Sequence, residues 1–218
     1  MNFLLVTHAA REVGAHEIAA QCEHTLARRE LRHRKVVVDD EALGRSVARG
    51  FGMLGWEEER DVVMVQRRRA DRLSPAGTAH EVSLEVIMPT FEAAARRAFN
   101  DEETARQILA RNYLLREQAG TRFFAAEPEG VPASHCELYT DGSTAQVESV
   151  TTLELYRGRG LARAVVLAAV DAARDAGCDF VFLRADDTGW PKELYRKLGF
   201  DSVGRTFAWT TTEVDKTR

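Results

Sequence analysis

Hydrophobic and polar positions repeat with two different periods over residues 1–66. The short apolar runs "NFLLVT", "KVVVDD" and "RDVVMVQR" have the length and β-branched content of strands. Between them, "AHEIAAQCEHTLARREL" and "ALGRSVARGFGMLGW" carry apolar residues at helical spacing. In the first of these, Ile18, Cys22 and Leu26 fall on one helix face. The pattern therefore predicts the order strand, helix, strand, helix, strand.

The segment from Arg67 to Glu81 has no apolar period and contains Pro75 and Gly77, so we interpret it as a linker. Its basic triplet at 67–69 fits a solvated strand end better than a nucleic-acid patch. This segment divides the chain into a first part over 1–66, a linker over 67–81 and a second part over 82–218.

The second part alternates strand and helix signals. "VSLEVIM" predicts a strand over Val82–Met88, and "FEAAARRAF" and "DEETARQILARNYLLREQ" predict two helices. Residues 121–152 predict three strands, with turns at "PEG" and "DGS". The remaining segments predict, in order, a helix, a strand, a short helix and a strand: "GLARAVVLAAVDAARDAG", "CDFVFLRAD", "GWPKELYRKLGF" and "SVGRTFAWTTT". The order is that of an α/β or α+β fold with a mixed sheet.

Composition narrows the class of protein. The 218 residues are 44% hydrophobic and 29% charged, as in ordinary globular proteins, and the net charge of −4 gives no general field for nucleic acid. The three cysteines, Cys22, Cys136 and Cys178, lack metal-binding spacing, so we expect buried reduced thiols and no metal. No apolar run has the length of a membrane span. We expect a soluble, cytoplasmic protein, either a monomer or a homodimer.

The stretch "LYRGRGLAR" is the clearest candidate for chemistry. It precedes an apolar helix, so its backbone N–H groups point at a ligand from a helix N-terminus, where the dipole favours an anion. Gly158 and Gly160 leave room for a pyrophosphate, and Arg157 and Arg159 add positive charge, although Arg159 is equally compatible with a solvated helix start. The P-loop pattern is absent, and the dinucleotide pattern lacks its third glycine at Arg163.

Three features together resemble the GNAT superfamily of N-acetyltransferases. The hexapeptide Arg157–Ala162 fits the pattern [Q/R]xxGx[G/A], the strand "QVESVTT" precedes it, and "LYRKLGF" follows about forty residues later. The resemblance covers about Val82–Thr212 and implies a GNAT fold, with a mixed, mostly antiparallel sheet flanked by helices. It also implies acetyl-coenzyme A as the cofactor and an amine acceptor.

The resemblance places the cofactor against particular residues. The pyrophosphate is expected at Arg157, Gly158, Arg159, Gly160, Leu161 and Ala162, and the pantetheine arm beside backbone groups around Val150 and Thr152. Trp190 either walls the cofactor or belongs to the core. Many family members have an Asn seven residues before the position of Tyr195, where this chain has Thr188. Either the polar contact of that Asn with the pantetheine arm is lost, or the Thr188 hydroxyl or Asp187 supplies it.

Two residues are candidates for proton chemistry. An amine with a pKa of about 10.4 costs roughly 4–5 kcal/mol to deprotonate at neutral pH, so a base is expected. Glu148 is the only carboxylate in "TAQVESVTT" and shares a strand face with Val150; the alternative is a structural glutamate, and Glu85 and Glu92 are weaker candidates. The resemblance gives Tyr195 the role of general acid at the leaving thiolate; the alternative is a half-buried helix tyrosine.

Residues 1–66 contain a degraded copy of the same signals. Arg11-Glu12-Val13-Gly14-Ala15-His16 aligns with the hexapeptide, and "GFGMLGW" aligns with "LYRKLGF". The step from Arg11 to Gly55 is 44 residues, and that from Arg157 to Gly199 is 42. We interpret the segment as a truncated, degenerate half-GNAT repeat; unrelated βαβ repetition is the alternative.

The copy lacks the residues of a working site. Glu12 stands at the first glycine position, Val13 replaces an arginine, His16 is bulky at a position expected to be packed, and Phe51 replaces the tyrosine. His8 and His16 are interpreted as solvated or capping residues. The sequence thus predicts one working site, in an N-acetyltransferase acting on a small molecule or peptide. A non-catalytic acyl-coenzyme A-binding module and an interaction scaffold are the alternatives.

Overall fold

The structure of the chain, a computed structural model, describes residues 3–8, 12–28, 33–75, 78–98, 103, 106, 107, 109, 110, 114 and 118–212. The strands are β1 Leu4–Val6, β2 His33–Val38, β3 Glu57–Gln66, β4 His80–Val82, β5 Arg122–Ala126, β6 Ser134–Asp141, β7 Thr144–Thr152, β8 Phe180–Asp186 and β9 Phe200–Thr212. The helices are α1 Ala15–Ala27, α2 Glu41–Met53, α3 Leu84–Ala98, α4 Leu161–Asp175 and α5 Pro191–Lys197. None of the helices in the described part of the chain has the length and apolar character needed to cross a membrane.

The described residues form two compact units. One comprises those of Met1–Met64, Ala185–Lys192 and Ser202–Arg218, and the other those of Val65–Arg184 and Glu193–Asp201. Because each unit takes in separated stretches of chain, neither is a continuous segment of the sequence.

The first unit is built around a small sheet and two helices. β1 pairs in parallel with β2, and β2 pairs antiparallel with β9. The predicted buried face of α1 is confirmed, since Ile18, Cys22 and Leu26 pack in the core of this unit. There, Phe51 of α2 stacks on Trp209 of β9 with ring centroids 4.4 Å apart. The order of strands and helices predicted for residues 1–66 is therefore confirmed.

The second unit holds the longer series of paired strands. β4, β5, β6 and β7 form successive antiparallel pairs, and β7 pairs in parallel with β8. Four of the six strand pairings described above are antiparallel, so the mixed, mostly antiparallel arrangement is confirmed. α4 packs against β5, β6 and β7.

The predicted strand over Val82–Met88 is wrong from Leu84 onward, where α3 begins. Leu84 and Ile87 are fully buried, and Phe91 packs against the same cluster, a spacing of three and four residues that belongs to one helix face. The β-branched residues and Pro89 hide this period from the sequence. The preceding strand, β4, is only three residues long and begins inside the predicted linker. The second predicted helix, over residues 101–118, lies largely outside the described residues.

Candidate active site

The glycine turn connects β7 to α4. After a short 3₁₀ turn at Glu154–Tyr156, Gly158 and Gly160 adopt φ angles of 76° and 80°. This left-handed conformation is readily available only to glycine. Gly160 is the N-cap of α4 and has no side chain to cap it, so the free N–H groups of the first helical turn remain available to a ligand.

The surroundings of the turn leave space for an anion. A β-carbon built on Gly158 has no atom within 4 Å. Arg157 and Arg159 are exposed, with Arg157 Nε 3.4 Å from the Thr152 carbonyl and the Arg159 guanidinium 4.9 Å from the Tyr156 ring centroid. Leu161 is buried and Ala162 is half-buried, so the start of the helix is anchored by Leu161. The turn thus presents positive charge and bare backbone on its exposed side.

The strand before the turn is bulged and separates from its neighbour. β7 pairs with β8 only over Thr144–Val147, whereas it pairs with β6 as far as Thr152. His135 of β6 pairs with Thr151 of β7, and Glu137 pairs with Glu148. An advance of two residues on β6 is therefore matched by three on β7, which is a β-bulge. Ser149 lies in this bulge and has a φ of 56°. The β8-facing edge around Val150 and Thr152 therefore lies beyond the paired region.

Glu148 lies where the β7–β8 pairing has just ended. Gln146 Nε2 donates a hydrogen bond to its Oε1, and Arg184 Nη2 donates to the same atom at 3.1 Å. Among the described residues no hydrogen bond is made to Oε2. The side chain is 25% exposed, so solvent or a ligand can reach it. One carboxylate oxygen is thus held in place, and the other remains available to accept a proton.

Tyr195 is buried in α5, with 6% of its surface exposed and its ring edge-on to Phe200 at 6.3 Å. Burial, with a smaller contribution from Cys136, raises the pKa of Tyr195 to about 12. The phenol therefore stays protonated at neutral pH and is a hydrogen-bond donor, never a phenolate.

The segment 186–190 makes its polar contacts internally. Thr188 donates from its N–H and its hydroxyl to Asp186 Oδ1, at 2.8 and 2.7 Å. Asp187 Oδ2 lies 2.8 Å from Arg205 Nε and 3.0 Å from Arg60 Nε. Both side chains named as replacements for the missing Asn are therefore engaged within the chain. Trp190 is 68% exposed, which excludes the core alternative for this residue.

Two residues that the sequence did not single out lie on the same sheet face as Glu148. The register places Glu137 opposite Glu148, and His135 is two residues earlier on β6. Both are buried. The only signal in the sequence was polar residues at alternate positions of the otherwise apolar strand "SHCELY".

In the N-terminal copy the turn is built differently. Gly14, which aligns with Gly160, caps α1 with an ordinary φ of −101°. Phe51, at the tyrosine position, is fully buried. His16 is exposed, so the expectation that it lies at a packed face is wrong, whereas solvent contact of His8 and His16 is confirmed. Arg11 lies outside the described residues.

Comparison with known proteins places the chain in a family. A sequence model described as the acetyltransferase (GNAT) family matches residues 84–200, more than half of the chain. No curated protein matches.

Solved structures resemble the chain over most of its length at low identity. A conserved protein of unknown function from Staphylococcus epidermidis ATCC 12228 has a TM-score of 0.67 and 15% identity, covering 91% of this chain and 79% of its own. A GCN5-related N-acetyltransferase from Sphaerobacter thermophilus has a TM-score of 0.63 and 20% identity, covering 90% of this chain and 67% of its own. A tandem GNAT protein from the clavulanic acid biosynthesis pathway has a TM-score of 0.59 and 15% identity, covering 90% of this chain and 69% of its own. Identities this low show a shared fold alone.

Proposed function

The chain belongs to the GNAT family of acetyltransferases, and we propose that it transfers the acetyl group of acetyl-coenzyme A to a primary amine of a small molecule or peptide. The observation that carries the proposal is the glycine turn at the N-terminus of α4, directly after a strand whose pairing with β8 has ended. A bare helix N-terminus suits a pyrophosphate, and an unpaired strand edge suits an arm that contains amides.

The donor side fits the residues present. Gly158, Gly160 and the first turn of α4, with Leu161 and Ala162, would hold the pyrophosphate through backbone N–H groups, while Arg157 and Arg159 supply charge. The dipole alone contributes only about 0.3–2 kcal/mol, so several N–H groups and both arginines must share the binding. The edge of β7 around Val150 and Thr152 would pair with the pantetheine amides. When bound, the cofactor supplies an acetyl group activated as a thioester.

Glu148 is proposed as the base. A primary amine arrives as an ammonium ion, and Oε2 of Glu148, directly or through water, takes the proton that makes the nitrogen nucleophilic. The nitrogen then bonds to the acetyl carbon while the carbon–sulfur bond breaks. On forming the amide, the nitrogen loses a second proton. The departing thiolate gains one proton to become the free thiol, so the transfer is balanced without any further reactant.

Tyr195 is proposed to donate a hydrogen bond from Oη to the departing sulfur. Complete proton transfer from a phenol of pKa about 12 to a thiolate of pKa about 8.5 would be uphill by about 5 kcal/mol. A hydrogen bond that strengthens as negative charge develops requires no such transfer. Burial therefore favours a stabilising role for Tyr195 over that of a full acid.

Direct attack within a ternary complex is proposed because none of the three cysteines is placed to act as a nucleophile. All three cysteines are buried, and Cys136 Sγ donates to the Val165 carbonyl. Burial raises the pKa of the Cys136 thiol well above its usual range. A thiol so protonated is a poor nucleophile.

The N-terminal copy is proposed to have a structural role, as a degenerate half-repeat occupying residues 1–66. Its Gly14 lacks the left-handed conformation of Gly160, and its Phe51 has no hydroxyl and stacks in the core. Trp190 remains proposed as a wall for the cofactor, since an exposed indole is available for stacking.

Calorimetry with acetyl-coenzyme A, comparing the wild type with Gly160→Trp, tests the proposal. We expect a binding heat and a raised melting temperature in the wild type alone, because an indole at this N-cap fills the phosphate cradle and cannot adopt a φ of 80° without strain. A panel of amines, amino acids, polyamines, aminoglycosides and peptides is then screened for thiol release. Binding without release from any acceptor would indicate an acyl-coenzyme A-binding module, and absence of binding would indicate a scaffold.

A further inference from the structure

A row of polar side chains lies on one face of β6 and β7 in the second unit. His135, Glu137 and Tyr139 occupy alternate positions of β6, so they share a face of the sheet. The register sets Glu137 opposite Glu148 and Tyr139 opposite Gln146. Side chains directly opposite one another on neighbouring strands have Cβ atoms about 5 Å apart. Glu137 is therefore the nearest carboxylate across the strand pair from the proposed base.

Glu137 and His135 are buried with incomplete hydrogen bonding. Each has only 1% of its surface exposed. Tyr139 Oη donates to Glu137 Oε2, but Glu137 Oε1 and both ring nitrogens of His135 have no hydrogen-bond partner among the described residues. Native proteins rarely leave buried polar atoms unpaired, and three such atoms on one strand face call for a ligand that pairs with them.

Among the described residues, this face carries more carboxylates than cations. Glu137 and Glu148 are two carboxylates, and Arg184, which contacts Glu148, is the cation paired with them among the described residues. Burial lowers the pKa of His135 to about 4, so the imidazole is neutral at physiological pH. Among the described residues Glu137 therefore has the hydrogen bond from Tyr139 but no cationic partner. A buried carboxylate of this kind attracts a cation.

The chemistry of the group favours an organic ammonium over a metal ion. The described residues include no group of three His, Cys, Asp or Glu side chains placed to hold a metal. An ammonium has three donors, and Glu137 Oε1 and the unprotonated nitrogen of a neutral His135 are two acceptors. The ring of Phe91, 4.6 Å from that of His135, provides an aromatic neighbour of the kind that favours cations.

We propose that Glu137 and His135 bind a second cationic group of the acceptor, so that the preferred substrates are short diamines. The reacting amine lies at Glu148, the more exposed of the two carboxylates, and the second ammonium lies one strand further in, at Glu137. An acceptor with an apolar end leaves Glu137 unpaired, and one with a carboxylate at that end is repelled by it. The inference rests on the proposed function, because it identifies the acceptor class of the same site.

Matched acceptors test the inference. Putrescine and cadaverine are compared with butylamine and pentylamine, which lack the second ammonium, and with γ-aminobutyrate and δ-aminovalerate, which carry a carboxylate in its place. We expect kcat/KM to be at least about tenfold higher for the diamines than for the monoamines, mainly through KM, and lowest for the amino acids. In Glu137→Gln this difference between diamines and monoamines should fall to within about threefold, mainly through a higher KM for the diamines.

Two further variants serve as controls for Glu137→Gln. Glu58→Gln removes an exposed carboxylate of β3 and should leave the preference intact. His135→Gln, which keeps a hydrogen-bonding side chain, should weaken the preference less than Glu137→Gln does. A melting-temperature increase with coenzyme A in each variant shows that the fold and the donor side are preserved.

The inference and the proposed function fail in different ways. If the wild type releases thiol with monoamines as readily as with diamines, or if Glu137→Gln keeps the diamine preference, the second-cation site is wrong while the acetyltransferase stands. If no acceptor releases thiol, the proposed function fails. Calorimetry of cadaverine with the coenzyme A-saturated chain then tests the cation site separately. If wild type and Glu137→Gln give no difference in binding heat, the cation site is wrong as well.

Discussion

Gly199 and Arg68 approach so closely that a β-carbon on Gly199 would stand 2.0 Å from the Arg68 carbonyl oxygen. The contact is fixed by two hydrogen bonds, since the N–H groups of Arg67 and Arg68 both donate to the Gly199 carbonyl, at 2.9 and 3.1 Å. Gly199 also has a φ of 90°. The glycine in "LYRKLGF" is therefore required by close backbone approach and by conformation together.

Gly199→Ala is expected to lower the free energy of unfolding by about 3 kcal/mol or more, because the methyl group forces the backbone at Arg68 away and the φ is unfavourable. The aligned Gly55 provides a matched control. It has a φ of 76° but no atom within 4 Å of its β-carbon position, so Gly55→Ala should cost only about 1–2 kcal/mol. Denaturant unfolding of both variants measures the difference. Equal losses would show that conformation alone accounts for the effect.

The Asp187 carboxylate supports a second stability prediction. Its side chain is 10% exposed and meets Arg205, Arg60 and Lys192. The hydrogen bond from Arg205 is the main cause that lowers the pKa of Asp187. A carboxyl whose pKa is lower in the folded chain contributes stability above its unfolded pKa of about 3.9, and that contribution disappears as the pH falls through the folded pKa.

Asp187→Asn should therefore destabilise the chain by about 1–3 kcal/mol near neutral pH, with the difference from the wild type shrinking below about pH 4. The magnitude is moderate because the three cationic partners are each about one-third exposed. Asp201→Asn, in the more exposed pair with Arg68, is the control and should change stability by less than about 1 kcal/mol. Unfolding curves at several pH values measure both, and a pH-independent difference would contradict the linkage.

The glycine turn gives a binding prediction with an internal control. Gly158 and Gly177 have similar φ angles, 76° and 86°, and neither has an atom within 4 Å of a β-carbon position. Gly158→Ala and Gly177→Ala should therefore lower stability by a similar amount, about 1–2 kcal/mol. Only the former should weaken acetyl-coenzyme A binding, by about tenfold or more, since its methyl group occupies the approach to the phosphates. Calorimetry that finds equal affinity in the two variants would refute a cradle at Gly158.

These glycines show which parts of the fold the sequence reveals. Periodicity predicted most helices and strands because one face of each is buried, and the glycine turn was predicted because its glycines and arginines have a fixed spacing directly before an apolar helix. The bulge at Ser149 gave no such signal, since serine is an unusual residue for a positive φ. The start of α3 at Leu84 was hidden because the β-branched residues Val86 and Ile87 also favour strands.

The acceptor side was harder to predict than the donor side. Cofactor contacts through the backbone follow from a short local motif, whereas Glu137 and Glu148 are 11 residues apart and meet only through strand register. Register depends on the turn at Gly142 and on the bulge, and a shift of one residue would place Glu137 on the opposite face. The domain boundaries at 66, 67 and 81 remain predictions.

Glu148→Gln tests the base. If Oε2 of Glu148 accepts the amine proton, the variant should lose about 10²- to 10⁴-fold in kcat with acetyl-coenzyme A affinity retained, because glutamine preserves the contact at Oε1 but cannot take a proton. Steady-state kinetics with the best acceptor measures this loss. An unchanged kcat with a lower melting temperature would instead support the structural alternative for Glu148.

Tyr195→Phe tests the contact at the sulfur. Since the variant keeps the ring that packs on Phe200 but loses the hydroxyl, kcat should fall about ten- to hundredfold while the Kd for acetyl-coenzyme A stays the same. Because the pKa of Tyr195 is raised to about 12, the phenol remains protonated through any accessible assay pH, so wild type and variant should share the same alkaline limb.

Tyr156→Phe is the control for Tyr195→Phe. It removes a hydroxyl but keeps the ring beside Arg159, so kcat should remain within about twofold of the wild type. Thiol release and calorimetry together decide between the two roles of Tyr195. Loss of cofactor binding in Tyr195→Phe would identify Tyr195 as a packing residue. A loss of wild-type activity near pH 10 that disappears in the variant would show that the phenol ionises in the working range and acts as a full proton donor.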